Sequence, residues 1–155
     1  LLHADAISAL RDVLIPKASV ITPNLPEAAD LLDVSEAVDR DMMLSQARGL
    51  LALGPQAVLL KGGHLATEES PDLLMSESHA QWFDTVRVVT TNTHGTGCTL
   101  SSALASYLGQ GHSVDVAVSK AKEYIGGAIA AADQLHVGEG HGPVNHFWAL
   151  WGNNG

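Results

Sequence analysis

A single cysteine, Cys98, stands among the 155 residues, so no internal disulfide is possible. Aromatic residues make up only 5% of the chain. Basic residues are scarce: 8 lysines and arginines face 17 aspartates and glutamates, for a net charge of −9. That balance disfavours the nucleic-acid backbone and leaves no basic patch for an anionic membrane surface. No apolar run approaches the roughly 20 residues of a membrane span, and no stretch reads as a secretory signal. A cytoplasmic protein without nucleic-acid or membrane partners is therefore expected. The chain opens on Leu1-Leu2-His3, a beginning compatible with a processed or truncated product.

Against these absences, 46% of the residues are hydrophobic and 16% charged, which is the composition of a folded chain. The length suits one domain that buries roughly two-thirds of the surface its unfolded chain exposes. No repeat, low-complexity tract or linker interrupts it, so 1–155 reads as one domain.

Ala6, Ile7, Leu10, Val13 and Leu14 recur at helical spacing, and Pro16 closes the segment. A short β-rich run, Ser19-Val20-Ile21-Thr22, follows. In "PNLPEAADLL", Asn24 can cap a helix and Glu27 can reach back to it. Met43, Ala47, Leu50 and Leu51 mark a third helix, ended by Gly54-Pro55. Ala57–Leu60 is wholly apolar and leads into Lys61-Gly62-Gly63, a pattern of parallel strands covered on both faces. The order predicts a layered α/β domain. Leu73-Leu74-Met75 and "AQWFDTVRVV", flanking the polar "SESH", predict a β-hairpin. Leu100, Ala103, Leu104, Tyr107 and Leu108 outline a helix ended by Gly109 and Gly111. A second long helix runs from Val114 to Leu135, and the aromatic "GPVNHFWALW" predicts a short terminal helix.

"NTHGTGCTLSSALA" carries the most chemistry. A helix N-terminus presents unpaired N–H groups and a partial positive charge. Glycines ahead of it let a ligand approach closely, so Gly95-Thr96-Gly97 is a candidate anion cradle. It is neither a Walker A loop nor a dinucleotide fingerprint. Cys98 follows at once, where the helix end favours a thiolate that can serve as base or nucleophile. The bland alternative is a buried structural cysteine packed beneath the turn.

The other candidates have two readings each. Asn24 and Glu27 either only cap their helix or place a carboxylate for hydrated Mg²⁺. Lys61 is either a solvated strand end or a phosphate-facing group at a strand's carboxyl end. His64 and His94 share these loops and read as exposed polar residues. His136, His141 and His146 recur every five residues, which fits no helix face, so no metal is assigned to them. Trp82, Trp148 and Trp151 read as core or interface residues.

Taken together, "ITPNLPEAADLL", "VLLKGGH", "NTHGTGCTLSSALA" and the tail "VGEGHGPVNHFWALW" closely resemble bacterial hydroxymethylpyrimidine/phosphomethylpyrimidine kinases of the ribokinase-like superfamily. The resemblance runs along essentially the whole chain. It implies a three-layer sandwich with a mostly parallel central sheet, and 1–155 as the C-terminal, ATP-binding and catalytic part of one domain. It implies ATP-dependent phosphorylation of 4-amino-5-hydroxymethyl-2-methylpyrimidine, then of its monophosphate, with ATP and Mg²⁺ as cofactors. Gly95, Thr96, Gly97 and the Cys98 amide would form the anion hole, and Cys98 would be the base. Asn24, Lys61 and Gly63 would contact nucleotide or phosphate, and Glu27 would hold Mg²⁺ through water. The family also implies a homodimer. By the same resemblance the chain begins after segments that supply most of the pyrimidine pocket and the first strands. A pyridoxine/pyridoxal kinase of the same superfamily, a non-catalytic nucleotide-binding remnant and a cysteine hydrolase are the rival readings.

Overall fold

The structure, a computed structural model, describes residues 4–66 and 69–150. Trp151 lies outside the described residues. The chain divides into two compact units, Leu1–Arg87 and Val88–Gly155, and each is described by itself.

The first unit is α/β. Helix α1 spans Ala4–Ala9 and continues as a π-helical stretch, Leu10–Leu14, and a 3-10 turn, Ile15–Lys17. This departs from the regular helix closed by Pro16 that the spacing predicts. The wider π turn re-phases the apolar face, so Ile15 is buried while Val13 and Leu14 are exposed. Pro16 sits in the first turn of the 3-10 segment, where its missing N–H costs nothing.

Strand β1 is Val20–Ile21, followed by α2 (Leu25–Leu32) and α3 (Arg40–Leu51). Strands β2 (Ala57–Lys61), β3 (Asp72–Ser76) and β4 (Ala80–Phe83) complete a sheet of order β1-β2-β3-β4. β1 and β2 are parallel, with Val20 opposite Ala57. β2 and β3 are antiparallel, as are β3 and β4. The sheet of this chain is thus mixed, and the mostly parallel sheet is corrected. Ala57–Leu60 is buried throughout, as its apolar run requires, but burial on both faces does not dictate the direction of the neighbouring strand.

The expected hairpin is present as β3 and β4. Its second strand stops at Phe83, and Val86 and Val89 beyond it are exposed. The core of this unit packs Leu25, Ala28 and Leu31 of α2 and Met43, Ala47 and Leu50 of α3 against Val58, Leu60, Leu73 and Met75. Trp82 packs at the edge of this core, beneath the Arg40 guanidinium, 4.7 Å from its ring centroid.

The second unit is built on a helix pair, α4 (Thr96–Gly109) and α5 (Val114–Ala130). Leu100 and Leu104 of α4 are buried, as are Ala117, Val118, Ala121, Ile125 and Ala128 of α5. The alanines keep the α5 face low. α5 ends at Ala130, five residues short of its predicted end, and Ala132–Gln134 is a 3-10 turn.

The predicted terminal helix does not form among the described residues: residues 146–150 form turns. Asn145, fully buried, explains this. Its N–H bonds the Ala128 carbonyl at 2.9 Å and its Oδ1 accepts from Phe147 N–H at 3.0 Å. The segment is therefore tied to the end of α5, and its own bonds are only those of turns, Trp148 N–H to the Asn145 carbonyl at 3.3 Å and Leu150 N–H to the Phe147 carbonyl at 2.8 Å. Trp148 packs on α5 at Gly127, where an added Cβ would lie 2.3 Å from the indole.

Candidate functional site

In the first unit, Asn24, Glu27 and Lys61 are brought together at the carboxyl ends of β1 and β2. Asn24 pairs with Lys61 as an isolated parallel bridge, and Lys61 N–H bonds the Pro23 carbonyl at 2.9 Å. Asn24 caps α2 in a full capping box. Its Oδ1 accepts from Glu27 N–H at 2.8 Å, and Glu27 Oε2 accepts from Asn24 N–H at 2.8 Å. The capping reading of this pair is present in the structure. It leaves the exposed Glu27 with a second carboxylate oxygen that can meet a water of a hydrated Mg²⁺. No group of three or more His, Cys, Asp or Glu among the described residues could hold a metal directly. The donor set thus fits an ion bound through water only.

The Lys61 side chain forms no ion pair among the described residues. The turn after it depends on glycine at 62, where an added Cβ would lie 2.0 Å from the Pro71 carbonyl oxygen. Gly62 N–H donates to the buried Asp72 Oδ1 at 3.0 Å. Gly63 is less constrained, with Ser70 Oγ at 3.4 Å from an added Cβ. Arg87 holds this loop by donating to the Gly63 carbonyl at 2.8 Å and the Leu65 carbonyl at 2.9 Å. His64 is exposed.

In the second unit, Gly95 sits at the N-cap of α4 with φ +83°, a left-handed conformation that favours glycine. The helix starts at Thr96, so Thr96 and Gly97 are its first two residues and Cys98 its third. The Thr96 hydroxyl donates to the Thr93 carbonyl at 2.8 Å, and its N–H reaches the same oxygen at 3.3 Å. Among the described residues nothing accepts from the N–H groups of Gly95, Gly97 or Cys98. Three donors at the positive end of a fourteen-residue helix are therefore without an acceptor among the described residues. Cys98 is exposed, which sets aside the buried structural reading.

Gly95 and Cys98 also line one end of a groove of about 590 Å³ that follows α4 past Ser102 and Ser106 to Gln110, with Tyr124 opposite. Its size suits a small-molecule ligand. His94 is exposed, and its N–H bonds the Gly142 carbonyl at 3.1 Å. Of the spaced histidines, His141 Nδ1 lies 3.0 Å from the Thr91 carbonyl, and the His146 carbonyl accepts from Tyr124 at 2.9 Å.

Sequence reasoning missed Asn92, Asp133 and Gly142, which hold the segment ahead of the glycine turn. Their partners lie 41 and 50 residues apart, so no local pattern signals them. It also passed over Arg87.

The profile of the family described as phosphomethylpyrimidine kinase matches residues 1–145. The chain belongs to this family. It is 52% identical over 151 residues to the hydroxymethylpyrimidine/phosphomethylpyrimidine kinase of Salmonella typhimurium, and 51% identical to that of Escherichia coli. Each match takes in 97% of this chain and 57% of the relative, so the chain spans a little over half the length of these kinases.

Among solved structures, the ADP complex of Bacillus subtilis pyridoxal kinase is similar with a TM-score of 0.91 and 35% identity, over 97% of this chain and 58% of that one. Staphylococcus aureus pyridoxal kinase with AMP-PCP and pyridoxal gives 0.90 at 31% identity, over 96% and 55%. The phosphomethylpyrimidine kinase of Clostridium difficile gives 0.71 at 38% identity, over 83% and 51%. The fold is thus the α/β ribokinase-like one of these vitamin kinases. No helix among the described residues is long and apolar enough to cross a membrane.

Proposed function

We propose that this chain is the nucleotide-binding and catalytic part of an ATP-dependent kinase for 4-amino-5-hydroxymethyl-2-methylpyrimidine and its monophosphate. The observation that carries this reading is the open N-terminus of α4 with the exposed Cys98 in its first turn. Membership of the phosphomethylpyrimidine kinase family and the relatives' names support the substrate. The three-layer domain, with 1–155 as its C-terminal portion, a homodimer and a cytoplasmic location belong to the same reading.

Phosphoryl transfer is mainly a matter of positioning and charge stabilisation. The N–H groups of Gly95, Gly97 and Cys98 take the oxygens of the transferring group, where preorganised donors act most strongly. Thr96 serves by holding the turn through Thr93. The substrate hydroxyl oxygen bonds to the γ-phosphorus, the bond to the leaving ADP oxygen breaks, and the Cys98 thiolate takes the hydroxyl proton. In the first unit, Asn24, Lys61 and Gly63 are assigned to nucleotide or phosphate contacts, and Glu27 to hydrated Mg²⁺. A bound Mg²⁺ would neutralise phosphate charge.

The second reading is a pyridoxal kinase, favoured by the higher structural similarity to the two pyridoxal kinases. The sequence identity of 52% to the Salmonella typhimurium enzyme weighs the other way. The test is the protein at its native length, given ATP with hydroxymethylpyrimidine or pyridoxal. Faster conversion of hydroxymethylpyrimidine is expected. Preference for pyridoxal would move the assignment to the second reading, and nucleotide binding without turnover on either ring would leave a non-catalytic remnant.

A further inference from the structure

We infer that Asn92 is a positioning residue for phosphoryl transfer, acting through the glycine turn three residues on; the inference rests on the kinase reading above. Residues 90–93 belong to no helix or strand, so side chains must fix their place. Asn92 does this with both ends of its carboxamide. Oδ1 accepts from the buried Gly142 N–H at 3.1 Å, and Nδ2 donates to Asp133 Oδ1 at 2.9 Å. Asp133 also accepts from the Thr90 hydroxyl, whose oxygen in turn accepts from Asn92 N–H at 3.0 Å.

The fit is steric as well as polar. An added Cβ on Gly142 would lie 2.2 Å from Asn92 Oδ1, so the carboxamide occupies the space a side chain at 142 would need. On either side of Asn92 the same loop makes further links: His141 Nδ1 to the Thr91 carbonyl and His94 N–H to the Gly142 carbonyl.

The turn itself has few anchors. The N–H groups of Gly95, Gly97 and Cys98 make no bonds within the described residues, as a ligand cradle requires. The start of α4 is held through the Thr93 carbonyl, which takes both the N–H and the hydroxyl of Thr96. Thr93 is bonded directly to Asn92. The carboxamide therefore sets where that carbonyl sits, and with it the aim of the three open donors. A misplacement of about 1 Å in such a site can cost 10²-fold in rate.

The test uses the protein at its native length. Asn92→Ala is expected to lower kcat for hydroxymethylpyrimidine phosphorylation by about 10²-fold while KM for ATP rises much less, the split expected of an interaction felt in the transition state. Asn92→Asp sets two carboxylates against each other and should be comparably slow. The exchange Asn92→Asp with Asp133→Asn restores one donor and one acceptor in reverse order, and should recover most of the rate. The amide NMR shifts of Gly95–Cys98 should move in both single variants and return in the exchanged pair. That readout stands even if the parent protein phosphorylates neither ring, so failure of the kinase reading and failure of this inference are distinct. Should Asn92→Ala not fold, Asp133→Ala at an exposed position takes its place. A folded variant with kcat within twofold of the parent, or an exchanged pair no better than Asn92→Asp, would overturn the inference.

Discussion

Two helices of this chain begin next to glycine- or proline-rich turns, and they begin in opposite ways. At α2, Asn24 and Glu27 close the terminus on itself, each side chain taking the other's N–H. α3 is closed too, by Asp39, which accepts from Met42 N–H at 2.8 Å. At α4 the N-cap is Gly95, which has no side chain to offer, and three donors stay open. At each closed terminus a cap side chain already takes the N–H of the third helical residue. The proposed function gives the open one, with an exposed thiol beside it, to a ligand, and the family to which the chain belongs says which ligand class to test. The difference separates residues whose loss should cost stability from those whose loss should cost turnover.

Replacing Cys98 by Ala should have the largest effect. Turnover is expected to fall by about 10²–10⁴-fold, the usual contribution of a positioned base, with nucleotide affinity and melting temperature nearly unchanged. Steady-state kinetics with a binding titration would show it, and unchanged turnover would remove Cys98 from the reaction.

Gly95→Ala comes next. There is space for the methyl group, whose nearest contact is Thr99 Oγ1 at 4.0 Å, so the penalty is that of the left-handed backbone, roughly 1–2 kcal/mol. Relief of that strain would re-aim the turn, so both turnover and thermal stability should drop. A loss of stability alone would mean that the turn's geometry does not matter to the chemistry.

The smallest effect is expected at the closed end. Asn24→Ala removes the α2 cap and should cost about 1 kcal/mol of unfolding free energy, read from denaturant melts. Asn24→Asp keeps an accepting oxygen and should restore most of it. The phosphate contact assigned to Asn24 predicts weaker nucleotide binding as well, and an Asn24→Ala variant that loses stability but keeps nucleotide affinity would remove Asn24 from the nucleotide site.

What the sequence disclosed follows how far apart the partners lie. The capping box of Asn24 and Glu27 is a matter of three residues, and it stands as the spacing predicts. The Leu100 and Leu104 stripe and the buried run Ala57–Leu60 are likewise local patterns. Strand direction is not local. β2 is as apolar as a parallel strand, yet its β3 neighbour returns through a loop to pair antiparallel. The tail misled for a similar reason: Asn145 bonds α5, and no count of aromatic residues reveals that. At the candidate site, Gly95 through Cys98 announced themselves by glycine and thiol. Asn92 did not, because its meaning lies in Gly142 and Asp133.

The most direct test of an open α4 terminus is an amide-resolved NMR titration of the native-length protein with AMP-PCP and Mg²⁺. The account predicts that the Gly95, Gly97 and Cys98 amides shift strongly, while the Met42 amide, closed by Asp39, stays in place. Saturating nucleotide that leaves the three α4 amides unmoved would contradict it.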